Sequence, residues 1–319
     1  MRVRILAFIL IVCVFLSACG SRKVSESPEL SDTAVTFTDD LGRSVTVDNP
    51  QKVAPLLGSF AQVWMLAGGT VYATAEDAWD DLHLDLPESA INLGHTKSLS
   101  LELLLEAEPD LILASVNTIQ QVEWRDTLEA TGIPVAYFDI SDFDDFLRLL
   151  SICTDITGRE DLYEKNGTDI QQQIEAVVQQ SKARLEDEEA PTVLSMVASA
   201  SNVYVKNSQG NVLGEMLYKL GCINIADSET LLLENLSLEH ILQADPDYIF
   251  IVQRGDDEAG MRQHVRQIMS ENPAWGQLSA VQNDRVYFME KNLYNLKPNH
   301  RWGEAYEKLE AIFQDNQGD

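Results

Sequence analysis

Hydrophobic and polar positions follow the same pattern in two stretches of the chain, residues 99–113 (LSLELLLEAEPDLIL) and residues 236–250 (LSLEHILQADPDYIF). Nine of the fifteen aligned positions are identical, and the stretches begin 137 positions apart. In each stretch apolar residues recur at helical spacing, a proline follows, and a continuous apolar run comes next. This pattern predicts a short helix, a tight turn and a strand buried on both faces, as in a parallel sheet. The period is too long for a solenoid, and it predicts two similarly folded α/β lobes.

The two predicted helices begin in the same way. Ser100 and Ser237 are each expected to cap a helix by accepting a backbone N–H. Glu102 and Glu239 follow two positions later, near the positive end of the helix dipole. A Pro-Asp pair then ends each helix and makes the turn into the strand.

The rest of the apolar pattern supplies further elements of an α/β fold. Alternation over residues 35–47 predicts a hairpin, and helical spacing over 159–185 predicts a long helix in which Gly167 is a candidate interruption. A helix is also predicted through Leu66, and another from about Arg301. Further strands are predicted at residues 53–57, around 71, and at 135–138, 192–197 and 286–289.

The chain begins with the pattern of an export signal. Arg2 and Arg4 precede an apolar run at 5–16 that is too short to span a bilayer as a helix. The following LSAC resembles a bacterial lipobox, which implies cleavage before Cys19 and lipid attachment to its sulfur. An ordinary signal peptide with an incidental cysteine is the alternative. We therefore assign 1–18 to a signal peptide and 19–34 to a lipidated flexible tether on the extracytoplasmic face of the membrane.

The charge of the chain argues against nucleic acid as a partner, and its cysteines do not form a disulfide framework. The net charge is −28, without a basic stripe, so phosphate backbones are repelled and nucleic acid is not an expected partner. After removal of the signal and lipidation, Cys153 and Cys222 are the remaining cysteines. Each is expected to be a small buried residue, although a disulfide between them is also open outside the cell.

Catalytic and metal-binding motifs are missing from the sequence. It contains no G-x-S-x-G, H-E-x-x-H or G-x-x-x-x-G-K pattern, so we expect neither an enzyme nor a resident cofactor. The histidines are scattered and do not predict a metal site: they are His83, His95, His240, His264 and His300. His95 and His300 lie in candidate ligand loops, where an axial contact to a chelated metal and an ordinary surface position are both open.

Several motifs, taken in order, resemble a known family. They are FTDDLGRSVTV, LLGSFAQVWMLAGG, the paired SLE…PD segments, LEATGIPV, ITGRE and NPAWGQLSAVQNDRVYFM. Together they resemble the substrate-binding lipoproteins of ABC importers that serve iron–siderophore, haem and cobalamin uptake. The resemblance implies two Rossmann-like lobes joined by one long helix, with the ligand in the cleft between them. It places the lobes at 35–157 and 190–319, with the helix at 158–189.

The resemblance also implies partners and docking residues. Glu102 and Glu239 match the family's two glutamates, one per lobe, that dock on arginines of the membrane permease, which works with a cytoplasmic ATPase. Each glutamate could instead simply complement its helix dipole. We expect the protein to be a monomer, and we expect its cargo to be a small metal chelate: a ferric siderophore, haem or a corrinoid.

Ligand residues are expected in the loops beyond the carboxyl ends of the strands, where open α/β sheets form their clefts. Arg254 directly follows a strand and could meet an anionic chelate, and Trp79 and Tyr294 are either stacking or rim residues. The candidate set is Ser59, Phe60, Trp79, Asn117, Arg254, Tyr294 and Arg301. Two alternatives stay open: a lipoprotein that binds a free metal ion or oxyanion, and a protein-binding sensor or adhesin subunit of the same fold.

Overall fold

The two repeated segments form the same structure in a computed structural model, which describes residues 33–228 and 237–315. The first gives a helix, Leu101–Glu106, and a strand, Leu111–Ser115. The second gives a helix, Leu238–Ala244, and a strand, Tyr248–Gln253. The predicted helix–turn–strand unit is confirmed in both places. The signal peptide, Cys19 and most of the tether lie outside the described residues.

Parallel pairing dominates the sheets, because most strands are followed by a helix that crosses back before the next strand. The described strands are β1 Ala34–Thr38, β2 Ser44–Asp48, β3 Val53–Pro55, β4 Ala73–Thr74, β5 Ile91–Asn92, β6 Leu111–Ser115, β7 Val135–Phe138, β8 Thr192–Ala198, β9 Val203–Lys206, β10 Ile223–Asn224, β11 Tyr248–Gln253 and β12 Val286–Met289. The N-terminal sheet has the order β3-β6-β7, all parallel. The C-terminal sheet has the parallel order β10-β8-β11-β12, with β9 antiparallel to β8. β1 and β2 form the predicted hairpin, and β4 pairs with β5.

Helices alternate with these strands along the chain, which makes the fold mixed α/β, as predicted. The described α-helices are α1 Gly58–Leu66, α2 Asp77–Asp80, α3 Leu101–Glu106, α4 Ile119–Glu123, α5 Arg125–Ala130, α6 Phe143–Thr157, α7 Glu160–Tyr163, α8 Asp169–Asp187, α9 Val212–Lys219, α10 Leu238–Ala244, α11 Glu258–Glu271, α12 Ser279–Gln282, α13 Lys291–Tyr294 and α14 Trp302–Asp315. Within 33–228 and 237–315, no helix combines the length and the apolarity needed to cross a membrane.

The repeated Pro-Asp pair ties neighbouring strands together. The Asp110 carboxylate accepts the N–H groups of Gln51 and Lys52 at 2.7 and 2.8 Å, just before β3. The Asp247 carboxylate accepts the N–H and the hydroxyl of Thr192 at 2.8 and 2.7 Å, at the start of β8. Both aspartates therefore fix the strand that pairs with the strand they introduce.

The two serine caps differ, so the capping prediction holds in the first half only. The Ser100 hydroxyl accepts the N–H of Leu103 at 3.2 Å. The Ser237 hydroxyl makes no capping bond and instead lies 2.7 Å from Nδ1 of His240. A histidine three residues into the second helix competes for the hydroxyl, and the first segment has a leucine at that position.

The long helical segment predicted over 159–185 is present and contains one irregular turn. α7 runs into a π-helical turn, Glu164–Thr168, and then into α8. Gly167 lies in that turn, where a Cβ atom would come within 3.0 Å of a Leu147 methyl group. α8 packs on α14 through Arg184 and Glu310, whose side chains are almost buried and form an ion pair at 3.0 Å.

Three apolar clusters form the core of the described residues. One lies under the N-terminal sheet around Ile112, one lies under the C-terminal sheet around Ile249, and the largest draws on both halves of the chain.

Cys153 and Cys222 are both buried and are free thiols, so the disulfide considered from the sequence is not formed.

Candidate functional site

A cavity of about 530 Å³ lies at the carboxyl ends of strands from both halves of the chain. From the N-terminal half it is lined by Leu57, Ser59, Asp77, Thr96, Lys97, Asn117, Thr118, Ile119 and Gln120. From the C-terminal half it is lined by Arg254, Asn295, Leu296 and Lys297. We call it the cleft cavity. Its position is the one expected for a ligand site in an open α/β sheet.

Three of the predicted ligand residues meet in the cleft cavity. Ser59 lies in the first turn of α1, Asn117 follows β6, and Arg254 follows β11. The Asn117 amide donates to Asp139 at 2.5 Å, which fixes its orientation. The Arg254 guanidinium lies over the Tyr204 ring, 5.8 Å from its centroid. These contacts hold both side chains at the wall of the cavity.

Two other predicted ligand residues lie in the core instead. Phe60 is 1% exposed and packs edge-on against Phe138, with ring centroids 6.5 Å apart. Tyr294 is 4% exposed, and its hydroxyl donates to the Ala305 carbonyl at 3.0 Å. Neither lines the cleft cavity. Each occupies a turn or short helix beside the cavity, and sequence position alone does not reveal that its side chain points inward.

Trp79 and Arg301 lie near the cavity without lining it. Trp79 is half-buried in α2, two residues beyond Asp77, which does line the cavity. Arg301 forms an ion pair with Glu304 at 2.7 Å and lines a separate cavity of about 370 Å³ beside β12. This pairing occupies the guanidinium that was predicted to face a ligand.

The most important residue missed from the sequence is Lys297. It is half-buried, lines the cleft cavity and forms no ion pair with any described residue. Burial lowers its pKa, while the carboxylates of Asp139 and Asp145 act in the opposite direction. Its loop follows β12, as expected for a loop beyond the carboxyl end of a strand, but nothing in the local sequence separates Lys297 from its neighbours. Lys97 was missed because the strand before it, β5, has only two residues.

Positive charge converges on the cleft cavity of a strongly acidic protein. Lys97, Arg254 and Lys297 face it, and Asp77 is the one carboxylate among its lining residues. Burial raises the pKa of Asp77 to about 6, and the hydrogen bond from the Gly58 N–H at 2.9 Å partly opposes this shift. The local charge is therefore reversed relative to the net charge of −28. Such a wall can bind an anion through charge-assisted hydrogen bonds.

A neighbouring acidic cavity of about 310 Å³ shares Asp77 with the cleft cavity. It is lined by Glu76, Asp77, Asp80, Asp81, His95, Thr96 and Asp256. The Lys291 ammonium bridges Asp81 of the N-terminal half and Asp256 of the C-terminal half, at 2.7 Å from each. Across the described part of the chain, no three His, Cys, Asp or Glu side chains are arranged to hold a metal ion.

Glu102 and Glu239 occupy equivalent places in the repeated helices. Each is the second residue of its helix, α3 or α10, and each side chain is exposed. Leu103, beside Glu102, is also exposed, at 42%. Neither glutamate lines the cleft cavity.

Comparison with known proteins identifies the family. Residues 53–293 match the model of the periplasmic binding protein family, which is about three quarters of the chain. The chain belongs to the periplasmic binding protein family. This confirms the resemblance found in the sequence.

Similar proteins cover nearly the whole chain. The iron-uptake system-binding protein of Bacillus subtilis is 24% identical over 98% of this chain and 96% of its own length. The Fe(3+)-citrate-binding protein YfmC of Bacillus subtilis is 26% identical over 92% of this chain and 90% of its own length. The crystal structure of Staphylococcus aureus SirA complexed with staphyloferrin B matches with a TM-score of 0.66 at 20% identity, over 88% of this chain and 98% of SirA. At that identity the structural match shows a shared fold.

Proposed function

We propose that this protein is the extracytoplasmic substrate-binding component of an ABC importer and that it captures an anionic metal chelate in the cleft cavity. The observation that carries the proposal is the convergence of Lys97, Arg254 and Lys297 on one cavity. These cations come from both halves of the chain, so one ligand in the cavity can contact both. The cargo class is a ferric siderophore, ferric citrate, haem or a corrinoid.

Electrostatics supports an anionic cargo over a neutral one. A protein of net charge −28 repels anions at long range, so local cations are needed to bind one. Arginine and lysine supply directional donors for carboxylate or chelate oxygens. The volume of about 530 Å³ is within the range of small-molecule sites.

The names of the relatives support iron-chelate uptake in particular. Two of them are described as an iron-uptake system-binding protein and an Fe(3+)-citrate-binding protein. Both are binding proteins, and we propose that this chain also binds and delivers its cargo without chemically changing it. The two alternatives raised from the sequence, a free-ion binder and a protein-binding subunit, have no observation among the described residues that favours them.

We place the cargo between two lobes. The proposed lobes are residues 35–157 and 190–319, each containing one of the parallel sheets, and the helical segment 158–189 joins them. Lys291 and Asp81 then form a contact between the lobes, at 2.7 Å, beside the cleft. We propose that the protein acts as a monomer.

Delivery to the permease is assigned to Glu102 and Glu239. Both are exposed at equivalent helix starts, one in each proposed lobe. An exposed carboxylate at such a position can pair with an arginine of a partner protein. The importer's cytoplasmic ATPase then completes the transport system. Lipidation of Cys19, which lies outside the described residues, would hold the protein at the membrane.

Titration of chelates against tryptophan fluorescence tests the proposed function. The full-length protein in detergent is titrated with ferric citrate, ferrioxamine, haemin and cyanocobalamin. Trp79 is the expected reporter because it lies in the helix that carries Asp77, and a Trp79→Phe variant identifies its share of the signal. Saturable quenching by ferric citrate or haemin, the two anionic chelates of the series, is expected. Binding of a sugar or peptide with no response to any chelate would contradict the proposal.

A further inference from the structure

The first turn of α1 opens on the cleft cavity and has a free donor. Leu57 precedes the helix in an extended conformation and provides no side-chain cap. The Gly58 N–H donates to Asp77 at 2.9 Å. Among the described residues, the next N–H, that of Ser59, has no acceptor. Since helix N-termini attract negative charge and offer unpaired N–H groups, this donor is placed to meet an anionic atom in the cavity.

The Ser59 side chain is a second, independent sign of a ligand atom at this place. Ser59 is only 8% exposed and lines the cleft cavity. Its hydroxyl has no hydrogen-bond partner among the described residues. The hydroxyl is not sealed from solvent, so it opens onto the cavity, where a ligand oxygen can accept its hydrogen bond.

Lys297 also lines the cleft cavity, and its loop is hydrogen-bonded to the Ser59 backbone. Two residues beyond it, Asn299 is fully buried, and its amide donates to the Ser59 carbonyl at 3.0 Å and to the Gln62 side chain at 2.8 Å. Asn299 has a backbone φ of 52°, which asparagine adopts more readily than most residues. The backbone that carries Lys297 is therefore fastened to the backbone that carries Ser59, and both side chains line the same cavity.

We propose that the Ser59 N–H and hydroxyl, together with the Lys297 ammonium, form a carboxylate-binding subsite, and that the cargo is a ferric chelate with an outward-facing carboxylate. This inference rests on the proposed function and narrows its substrate class. Citrate-type chelates can present carboxylate oxygens away from the iron, where two hydrogen bonds and one cation can reach them. Catecholate and hydroxamate chelates direct their anionic oxygens at the metal and offer no such group.

The charged groups around the subsite are consistent with a single bound carboxylate. The Asp77 carboxylate already accepts the first N–H of α1, that of Gly58. Its negative charge disfavours a second anionic group at the same place. Asp139 and Asp145 lie near Lys297 but do not line the cavity. Lys97 and Arg254 also line the cavity and can contact the rest of the chelate.

Affinity measurements on matched variants test the subsite. The full-length protein in detergent is titrated with ferric citrate and with ferrioxamine, a hydroxamate chelate, and Kd is measured for each. Lys297→Met is expected to weaken ferric citrate binding by about tenfold or more, and Ser59→Ala by about fivefold. Lys297→Arg keeps the charge and should retain most of the affinity. Lys182→Met, an exposed lysine on α8 away from the cavity, is the control and should match the wild type.

The outcomes separate this inference from the proposed function. If the wild type binds ferric citrate and both Ser59→Ala and Lys297→Met bind it equally well, the subsite is wrong and the proposed function stands. If ferrioxamine or cyanocobalamin binds and neither ferric citrate nor haemin does, the subsite is wrong and so is the anionic character of the cargo, because neither of those two chelates carries a net negative charge. If no chelate binds at all, the proposed function fails and the subsite fails with it. Should Lys297→Met not fold, Ser59→Ala and Lys297→Arg decide the question.

Discussion

Asp110 and Asp247 perform the same task 137 positions apart: each carboxylate accepts two hydrogen bonds from the segment that begins a neighbouring strand. Each aspartate N–H also returns a bond to that segment, to Lys52 at 3.0 Å and to Thr192 at 2.9 Å. The resulting loop of bonds sets the register of β3 with β6 and of β8 with β11. The sequence repeat therefore reflects a repeated way of starting a parallel sheet.

Removing these carboxylates should destabilise the fold. Asp110→Ala and Asp247→Ala are each expected to lower the free energy of unfolding by about 1–3 kcal/mol, because each leaves two donors without their acceptor. The loss should be larger for Asp247, which is half-buried, than for the exposed Asp110. Urea unfolding measures both. Asp126→Ala is the control, since its side chain is 88% exposed, and an equal loss there would contradict the assignment.

Asp77 should make stability depend on pH. Its pKa is raised by burial from 3.8 to about 6, so between about pH 4 and pH 6 the unfolded chain releases a proton that the folded chain keeps. Stability is therefore lost as the pH rises through that window, by about 3 kcal/mol at most.

The corresponding variant is Asp77→Asn, which keeps an acceptor for the Gly58 N–H and removes the charge. It should be more stable than the wild type at about pH 7.5 and nearly equal to it below about pH 4. Urea unfolding at the two pH values measures the difference. Asp80→Asn, on the exposed side of the same helix, should show no such change. An Asp77→Asn variant that is less stable at both pH values would refute the burial argument.

If Glu102 and Glu239 dock on the permease, removing them should stop iron uptake without changing the affinity for the chelate. Glu102→Ala combined with Glu239→Ala should abolish iron uptake in cells while leaving the Kd for the chelate unchanged, because neither residue lines the cavity. Glu106→Ala with Glu271→Ala removes two other exposed carboxylates from helices and should transport normally. Normal uptake by the Glu102/Glu239 pair would rule out the docking role.

Lipid anchoring predicts a change in location. Cys19→Ala should move the protein from the membrane fraction to the soluble extracytoplasmic fraction, because the attachment sulfur is lost. Cell fractionation with immunoblotting measures this, and Cys13→Ala is the matched control within the proposed signal peptide. A Cys19→Ala protein that still sediments with membranes would contradict lipidation.

The local pattern of hydrophobic and polar residues predicted many of the helices and strands. The strands Val135–Phe138 and Val286–Met289 have the bounds expected from their apolar runs. Val135–Phe138 is buried along its whole length, which requires a continuous apolar run, whereas Val286–Met289 is half-buried except at Met289. The strand Ile91–Asn92 was missed, since two residues show no period. The interruption of the long helix at Gly167 was predicted, and it takes the form of a π-helical turn, Glu164–Thr168.

The site was harder to predict, because it depends on where side chains point. Topology selected loops at the carboxyl ends of the strands, and Ser59, Asn117 and Arg254 from these loops line the cleft cavity. Phe60, next to Ser59, points into the core, since neighbouring positions in a helix face different directions. The loop that carries Lys297 is held at the cavity by Asn299, whose amide donates to the Ser59 carbonyl. This hydrogen bond joins residues 240 positions apart in the chain, so local sequence cannot predict it.

Retention of iron by the purified protein tests the central claim most directly. The full-length protein in detergent is equilibrated by dialysis against ferric citrate, ferrioxamine or haemin labelled with radioactive iron. We predict one iron retained per chain, wild-type retention by Lys182→Met, and no retention by Asn117→Trp, whose added ring fills the cleft cavity. A wild type that retains no iron from any chelate, or an Asn117→Trp variant that retains as much as the wild type, would contradict capture of a metal chelate in this cavity.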